Sequence, residues 1–460
     1  MMKKIIMRAS AMLMVLVLAF GVLTIIPQTK AEAAFVVDYE PHCDAIYMVN
    51  LDTGMVVYEK NSDKLKYPAS LTKMMTCILA LEYFSDPKSE YLTIKEAVLN
   101  DRTCINNGVW STGYFKAGER VTLKDLLYCA MLPSDNYAAL AIAYYVSEQK
   151  GEGTVEWFVD LMNRKAREIG CTNTQFMNPH GLFHEKHQTT AQDLYKIARY
   201  AMSNAAFAEI VKEPVYRRAA TNMNPDFGPQ GARIENTNKM LSTAYEEYFY
   251  QYVKGIKTGF LAKAGHCFAS YATKDGYSYI IICLDDKAKK NNETNYAMLD
   301  AKTLFQWAFS SLDLKEIVSS SKPVATIDIA MAWGRDTIDV YPAESFTTLM
   351  PSNVESYSVM VKTNIADGVK APVKKGEILG QADLIYGSEV IGTIDLVAGE
   401  TVQRSDLLYV LGMITGLFES PVFIVFLALI VLAAVAYVVL YMLRSRSTAS
   451  LRRVHRYRRM

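Results

Sequence analysis

The chain of 460 residues contains no CxxC pair. Its seven cysteines, Cys43, Cys77, Cys104, Cys129, Cys171, Cys267 and Cys283, are odd in number, widely spread and mostly set in apolar segments. Such a pattern predicts neither a disulfide framework nor a structural zinc site, and the thiols read as small buried apolar side chains. Histidine is scarce, at six residues. His184-Glu185-Lys186-His187 spaces its histidines three apart where a helical metalloprotease site needs four, and no further ligand set accompanies it. No metal and no cofactor is expected. A net charge is lacking too: 49 basic residues against 48 acidic ones give +1, which points to no nucleic-acid partner. Internal repeats and low-complexity segments are also missing, which excludes solenoids and long disordered tracts.

Two long apolar runs are present. The first, Met12 to Ile26, follows Lys3, Lys4 and Arg8 and precedes the small-residue site Ala31-Glu32-Ala33, so residues 1–33 read as a secretory signal peptide. The second covers residues 422–443 without a charge. At about 1.5 Å per residue it crosses a hydrocarbon core of roughly 30 Å. The tail, 444–460, carries Arg444, Arg446, Arg452, Arg453, Arg456, Arg458 and Arg459. Positive flanks remain on the cytoplasmic side. The expectation is a single-pass protein of a bacterial cytoplasmic membrane, its bulk outside and its C-terminus inside.

Between the runs, strand-like segments flank a helical block. Ala45–Val49 and Met55–Tyr58 read as strands joined at Asp52-Thr53-Gly54. Helical apolar spacing follows at 70–84, at 123–147 with a break near Pro133, at 156–169 and at 191–210. A polar stretch, 217–239, reads as loops. Residues 255–283 read as two strands joined at Lys274-Asp275-Gly276, and 298–309 as a last helix. The first and last strands must then pair across a long separation, as in an α/β sandwich. From about 314 to 408 the pattern changes to short strands with turn signals such as Ala366-Asp367-Gly368. The predicted boundaries are 34–312 for the first domain and 313–408 for a small β-rich domain.

Three short motifs carry chemistry. In Ser70-Leu71-Thr72-Lys73 a helical spacing of three sets a hydroxyl beside an amine, which can take its proton when burial lowers the amine's pKa. Ser85, Ser147 and Ser319 also have a lysine three residues on, so this element alone is weak. Ser134-Asp135-Asn136 follows Pro133 in an inter-helix break, where a hydroxyl and an amide can project into a cleft; by itself it reads equally as a helix cap. Lys257-Thr258-Gly259 enters a strand, where a cation and a hydroxyl can grip a carboxylate and glycine admits a peptide backbone.

Together and in this order the three are specific. With Tyr67-Pro68-Ala69 before Ser70, Asn178-Pro179-His180-Gly181-Leu182, Asn236-Thr237-Asn238 and Phe260 after Gly259, the stretch from about Ala45 to Phe309 resembles the serine D-Ala-D-Ala carboxypeptidases, the low-molecular-mass penicillin-binding proteins of the S11 peptidases. The resemblance implies a transpeptidase/β-lactamase-like antiparallel sheet with helices, so 34–312 would be a DD-peptidase catalytic domain. It implies Ser70 as nucleophile, Lys73 as general base, Ser134 and Asn136 as proton relay and substrate-amide anchor, and Lys257 and Thr258 at the substrate carboxylate. Gly259 and the backbone of Phe260 would complete the substrate site, with the N–H groups of Ser70 and Phe260 as an oxyanion hole. Peptidoglycan stem peptides ending in D-Ala-D-Ala would be the substrate and β-lactams the inhibitors.

Two positions depart from the family's pattern. Asp135 stands where glycine is more usual, and Leu261 where threonine is usual, which removes a hydroxyl expected near the carboxylate pocket. Asp135 gives the motif its class A β-lactamase form. That reading needs a glutamate four residues before Asn163, and Val159 is there. A cross-link DD-endopeptidase shares the bond chemistry, and a non-catalytic penicillin-binding wall scaffold remains the alternative from another class.

Overall fold

A computed structural model of the protein describes residues 35, 37–286, 294–366 and 368–456. The expected signal peptide, the turn residue Asp367 and the last four residues of the basic tail lie outside them. The chain divides into two units that part between Leu312 and Asp313.

In the first unit, Cys43–Asn50 (β1) turns back into Val56–Lys60 (β2). The turn is built by Asn50, whose Oδ1 accepts from the backbone N and the hydroxyl of Thr53, both at 2.9 Å. Gly54 supplies the left-handed φ of +73° that closes it. Tyr91–Thr93 (β3) pairs with Arg120–Thr122 (β4), and Val215–Arg218 (β5) with Ala232–Glu235 (β6). The last hairpin lies within the stretch read as loops: Ala232 and Ile234 do alternate with Arg233 and Glu235, but over only four residues, too short a run to stand out from the polar stretch around it. Val253–Leu261 (β7), Gly265–Lys274 (β8) and Tyr277–Asp286 (β9) follow. They are three strands where two were expected, because the tight turn at 262–264 carries no strong turn signal. The main sheet runs β2-β1-β9-β8-β7, antiparallel throughout. The first strand thus pairs with the last of the sheet, Cys43 opposite Asp286 and Asn50 opposite Tyr279, as the sandwich reading required.

The helical block is inserted between β2 and β7. Lys73–Tyr83 (α1) follows a 3-10 turn at Ala69–Thr72, so the expected helix begins three residues late. Glu96–Leu99 (α2) and Arg102–Asn106 (α3) are short. Leu123–Met131 (α4) and Asn136–Lys150 (α5) flank the break at Pro133. Thr122 and Asp125 form a reciprocal capping box at the start of α4. Val155–Glu168 (α6) precedes Ala191–Met202 (α7) and Ala205–Val211 (α8), which the side chain of Asn204 separates by capping the second. Tyr296–Ser311 (α9) closes the unit.

α1 has little polar surface because it is surrounded: every residue from Lys73 to Leu81 is buried, against α4, α5 and α7. β9 is buried on both faces. Ile280, Ile282 and Leu284 join the helical core, whereas Tyr279 meets Phe309 of α9 edge-on at 5.0 Å. Each such aliphatic side chain stabilises the unit by roughly 1.5–3 kcal/mol. All seven cysteines are buried and free, in keeping with the apolar reading.

The second unit is β-rich, as expected. Ala325–Asp328 (β11), Thr337–Pro342 (β12), Met360–Ile365 (β14), Ile378–Tyr386 (β15) and Glu389–Ala398 (β16) make a sheet in the order β11-β12-β16-β15-β14, and Leu312–Val318 (β10) pairs with Phe346–Pro351 (β13). Val340, Ala382, Leu384 and Leu396 are its fully buried centre. Ser405 caps Asp406–Glu419 (α10), and Pro421–Arg456 (α11) follows. Within α11 the 24 residues Pro421–Arg444 form an apolar, exposed helix, long enough at about 1.5 Å per residue to cross a bilayer.

Candidate active site

The first unit carries a cleft of about 620 Å³ that Ser70, Ser134, Thr237, Thr258 and Phe260 help to line. Ser70 sits in the 3-10 turn ahead of α1. Ala69 before it has a φ of +49°, an uncommon conformation for a residue with a side chain. The turn is held by Leu71 N donating to Pro68 O at 3.2 Å and by the Thr72 hydroxyl donating to Ala69 O at 2.8 Å.

Lys73 opens α1 and is completely buried. Its Nζ lies 2.9 Å from Ser70 Oγ, 2.7 Å from Asn136 Oδ1, 2.8 Å from the carbonyl oxygen of His180 and 3.5 Å from Ser134 Oγ. Two of these neighbours, the Asn136 amide oxygen and the His180 carbonyl, can only accept. A neutral amine donates to both with its two N–H groups, which turns its lone pair toward Ser70 Oγ. Burial lowers the ammonium from its ordinary 10.5 to about 7, while the carboxylate of Asp135 pulls in the opposite direction. The amine is therefore available as a base near neutral pH.

Ser134 and Asn136 reach this point because α4 and α5 are interrupted. Ser134 adopts a φ of +67°. Asp135, next to it, donates its backbone N–H to Cys129 O at 2.9 Å and caps α5 by accepting from Ala138 N at 2.8 Å. Asn136 then begins α5 with its amide oxygen on Lys73.

β7 forms the other wall. Gly259 is where the strand meets the turn that carries Ser70: a Cβ there would lie 3.1 Å from Ser70 N and 3.2 Å from both Ala69 Cβ and Pro68 O. The Thr258 hydroxyl is 2.5 Å from that of Thr237, and Thr237 N donates to Leu132 O at 3.0 Å. Lys257 is buried behind this wall, and among the described residues its ammonium has no hydrogen-bond partner. Its pKa is held well below the ordinary lysine value by burial and then by the charge of Lys73. Phe260 is 42% exposed, its ring 4.7 Å from that of His266.

Some contributors were not legible as such. Asn178–Leu182 enters the sequence reading only as part of the family pattern; the structure puts its His180 carbonyl 2.8 Å from Lys73 Nζ. Gly181, with a φ of +89°, packs on Ala69, and Thr76 donates to Pro179 O at 2.6 Å. His187 Nε2 meets Thr72 Oγ1 at 2.9 Å, far from any metal-like arrangement with His184. Asn163 is a clamp: it accepts from Phe176 N at 2.8 Å and donates to Phe176 O at 2.9 Å. His266 lines the cleft. One expectation is corrected. Leu261 is partly buried against the hydrophobic core and is not among the cleft residues, so the hydroxyl it replaces would not have lined this pocket.

Asp101, Cys104 and His180 bring ligand-type atoms within 4.8 Å of one another. Asp101 and His180 already accept backbone N–H groups, from Cys104 at 2.9 Å and Leu182 at 3.2 Å. The arrangement is that of a capped turn, not of a metal centre.

Residues 28–288 match the family profile described as D-alanyl-D-alanine carboxypeptidase, and residues 313–404 that of the penicillin-binding protein 5 C-terminal domain. The chain is 28% identical over 359 residues to the D-alanyl-D-alanine carboxypeptidase DacF of Bacillus subtilis, covering 78% of this chain and 85% of the relative. It is 26% identical over 378 residues to the D-alanyl-D-alanine carboxypeptidase DacC of Escherichia coli, covering 79% and 86%. Among solved structures, the D-alanyl-D-alanine carboxypeptidase DacD of Francisella tularensis superposes with a TM-score of 0.60 at 25% identity, covering 82% of this chain and 97% of that one.

Proposed function

The chain belongs to the D-alanyl-D-alanine carboxypeptidase family of serine hydrolases, and we propose that it acts through Ser70 on peptidoglycan stem peptides ending in D-Ala-D-Ala. The observation that carries the assignment of roles is the Lys73 amine, buried and aimed at Ser70 Oγ by two acceptor-only neighbours.

In the proposed reaction, neutral Lys73 takes the proton of Ser70 as Oγ attacks the carbonyl of the penultimate D-alanine. Negative charge develops on that carbonyl oxygen, and the backbone N–H groups of Ser70 and Phe260 are the donors assigned to it. The proton passes by way of Ser134 to the leaving amine, free D-alanine departs, and water hydrolyses the acyl-enzyme. Lys257 and Thr258 take the substrate's terminal carboxylate. An incoming anion there would give the buried Lys257 ammonium the counter-charge it needs. The amide of Asn136 orients the substrate, and Gly259 lets the peptide lie along β7 as an added strand. β-Lactams acylate Ser70 by the same route. No cofactor is invoked.

The exposed apolar helix 421–444 fits a membrane anchor. We assign the catalytic unit to the outer side and the arginine-rich tail to the cytoplasm on charge asymmetry.

The test is D-alanine release from a diacylated L-Lys-D-Ala-D-Ala tripeptide by the full chain in detergent, with Ser70→Ala as control and a fluorescent penicillin as active-site label. Release and labelling that both vanish in the variant support the reading. Labelling without release would reduce the protein to a penicillin-binding scaffold, and neither from folded protein would sink the assignment of Ser70.

A further inference from the structure

The middle residue of the Ser134-Asp135-Asn136 motif has no part in the chemistry above, yet it is 1% exposed and both of its carboxylate oxygens accept hydrogen bonds. One carboxylate oxygen, Oδ1, accepts from Ala138 N at 2.8 Å and so closes the N-terminus of α5. The other, Oδ2, points the opposite way. It accepts from Gly113 N at 2.6 Å, Ser111 Oγ at 2.9 Å and Thr112 Oγ1 at 3.3 Å. One side chain thus ties the helix that presents Asn136 to Lys73 onto a loop whose Thr112 lines the cleft with Ser70 and Ser134.

The loop is also held through the carbonyl of the same residue, where the buried guanidinium of Arg218 donates to Gly113 O at 2.8 Å. The chain is tight there: a Cβ on Gly113 would lie 2.6 Å from the ring of Phe115 and 3.1 Å from Cys129 Sγ. Next to the anchored residues, Trp110 is 77% exposed.

We propose that Asp135 is a positioning residue for substrate: through Ser111, Thr112 and Gly113 it sets the loop wall of the cleft against which the peptide stem binds. The proposal rests on the reading of Ser70 as the nucleophile of this cleft. A capping role alone would need only Oδ1. The three donors on Oδ2 all come from the loop, and a charged acceptor is the group that can satisfy them together. Asparagine at this position would keep the cap but turn an amide N–H toward Gly113 N–H.

The same charge has a second consequence. The groups facing Lys73 are Asp135, the thiols of Cys77 on α1 and Cys104 on α3, Lys257 on β7 and His180. Asp135 is the first of those that favour the charged amine, so its removal must lower the pKa of Lys73 further.

The experiment is steady-state kinetics on the diacylated tripeptide with the full chain, comparing Asp135→Asn, Thr112→Ala, Ser111→Ala and the Asp135→Asn/Thr112→Ala pair. Asp135→Asn should raise KM about tenfold, more than it lowers kcat. The double variant should be little worse than Asp135→Asn, because the two act through one wall. The acid limb of kcat/KM should move to lower pH in Asp135→Asn and stay in place in Thr112→Ala. Ser111→Ala, which loosens the loop but keeps the cap and the charge, should raise KM a few-fold with its acid limb unmoved, and it carries the test if Asp135→Asn does not fold. Additive effects in the double variant, or wild-type KM in Ser111→Ala, would overturn the proposal and leave Asp135 as a helix cap. A wild-type protein that neither turns over nor takes up penicillin fails differently: the reading of the cleft itself then falls.

Discussion

A Cβ placed on Gly181 would lie 1.9 Å from the carbonyl oxygen of Ala69 and 2.9 Å from Thr72 Oγ1. The segment that lends its His180 carbonyl to Lys73 is thus packed directly on the turn that presents Ser70. The two segments approach this closely only because residue 181 has no side chain and adopts a φ of +89°.

Gly181→Ala should therefore damage the site from behind. Strain at positive φ and the clash with backbone both oppose it, at a cost of about 2–4 kcal/mol in stability. Penicillin acylation should slow more than tenfold, since displacement of the Ser70 turn misaligns nucleophile and base. Urea unfolding together with acylation rates checks both. Wild-type acylation in the folded variant would show that the turn does not depend on this contact.

Lys73 should set the acid limb of the pH–rate profile. Its pKa is lowered from 10.5 to about 7, so the amine is protonated and inert as a base below about pH 7, and kcat/KM should rise through that value. The same shift has a thermodynamic sign. The unfolded chain keeps this proton up to about pH 10.5 whereas the folded chain releases it near 7. The group therefore destabilises the fold fully below 7, and that penalty fades as pH rises through the window from 7 to 10.5. A profile flat between pH 6 and 8 would remove Lys73 as the base.

Lys257 should trade stability for function. Its ammonium is buried and, among the described residues, without a hydrogen-bond partner, and burial of such a charge opposes folding. Lys257→Met keeps most of the volume and removes the charge. It should raise stability by about 1–3 kcal/mol and cut kcat/KM on a substrate with a free terminal carboxylate by about 100-fold or more. Thermal melting and tripeptide turnover read the two effects separately. A variant less stable than wild type would mean that the cation is held by interactions of its own.

Much of the fold was legible where apolar period and turn chemistry agree. Asp52-Thr53-Gly54, the break at Pro133 and the apolar run from 422 each mark a boundary in the structure. The stretch at 217–239 was not, because β5 and β6 form a hairpin stabilised by partners elsewhere: Tyr216 donates to Asp125 at 2.8 Å and its ring stacks on Tyr128 at 4.0 Å. Nor was the break at Asn204, which looks like continuous amphipathic spacing until its side chain is seen capping the next helix.

The sequence by itself determined the kind of site. Spacing within Ser70–Lys73, within Ser134–Asn136 and within Lys257–Gly259 is local, and local backbone geometry is enough to say which groups can face together. The tertiary structure alone decided what those groups experience. Nothing local says that the His180 carbonyl, 107 residues from Lys73, accepts from its amine, or that Asp135 faces Gly113 across 22 residues. Nor does anything local say that Leu261 leaves the pocket it was expected to shape. Hydrogen-bond direction, desolvation and the phase of a strand depend on what packs against a residue, and chain neighbours do not specify it.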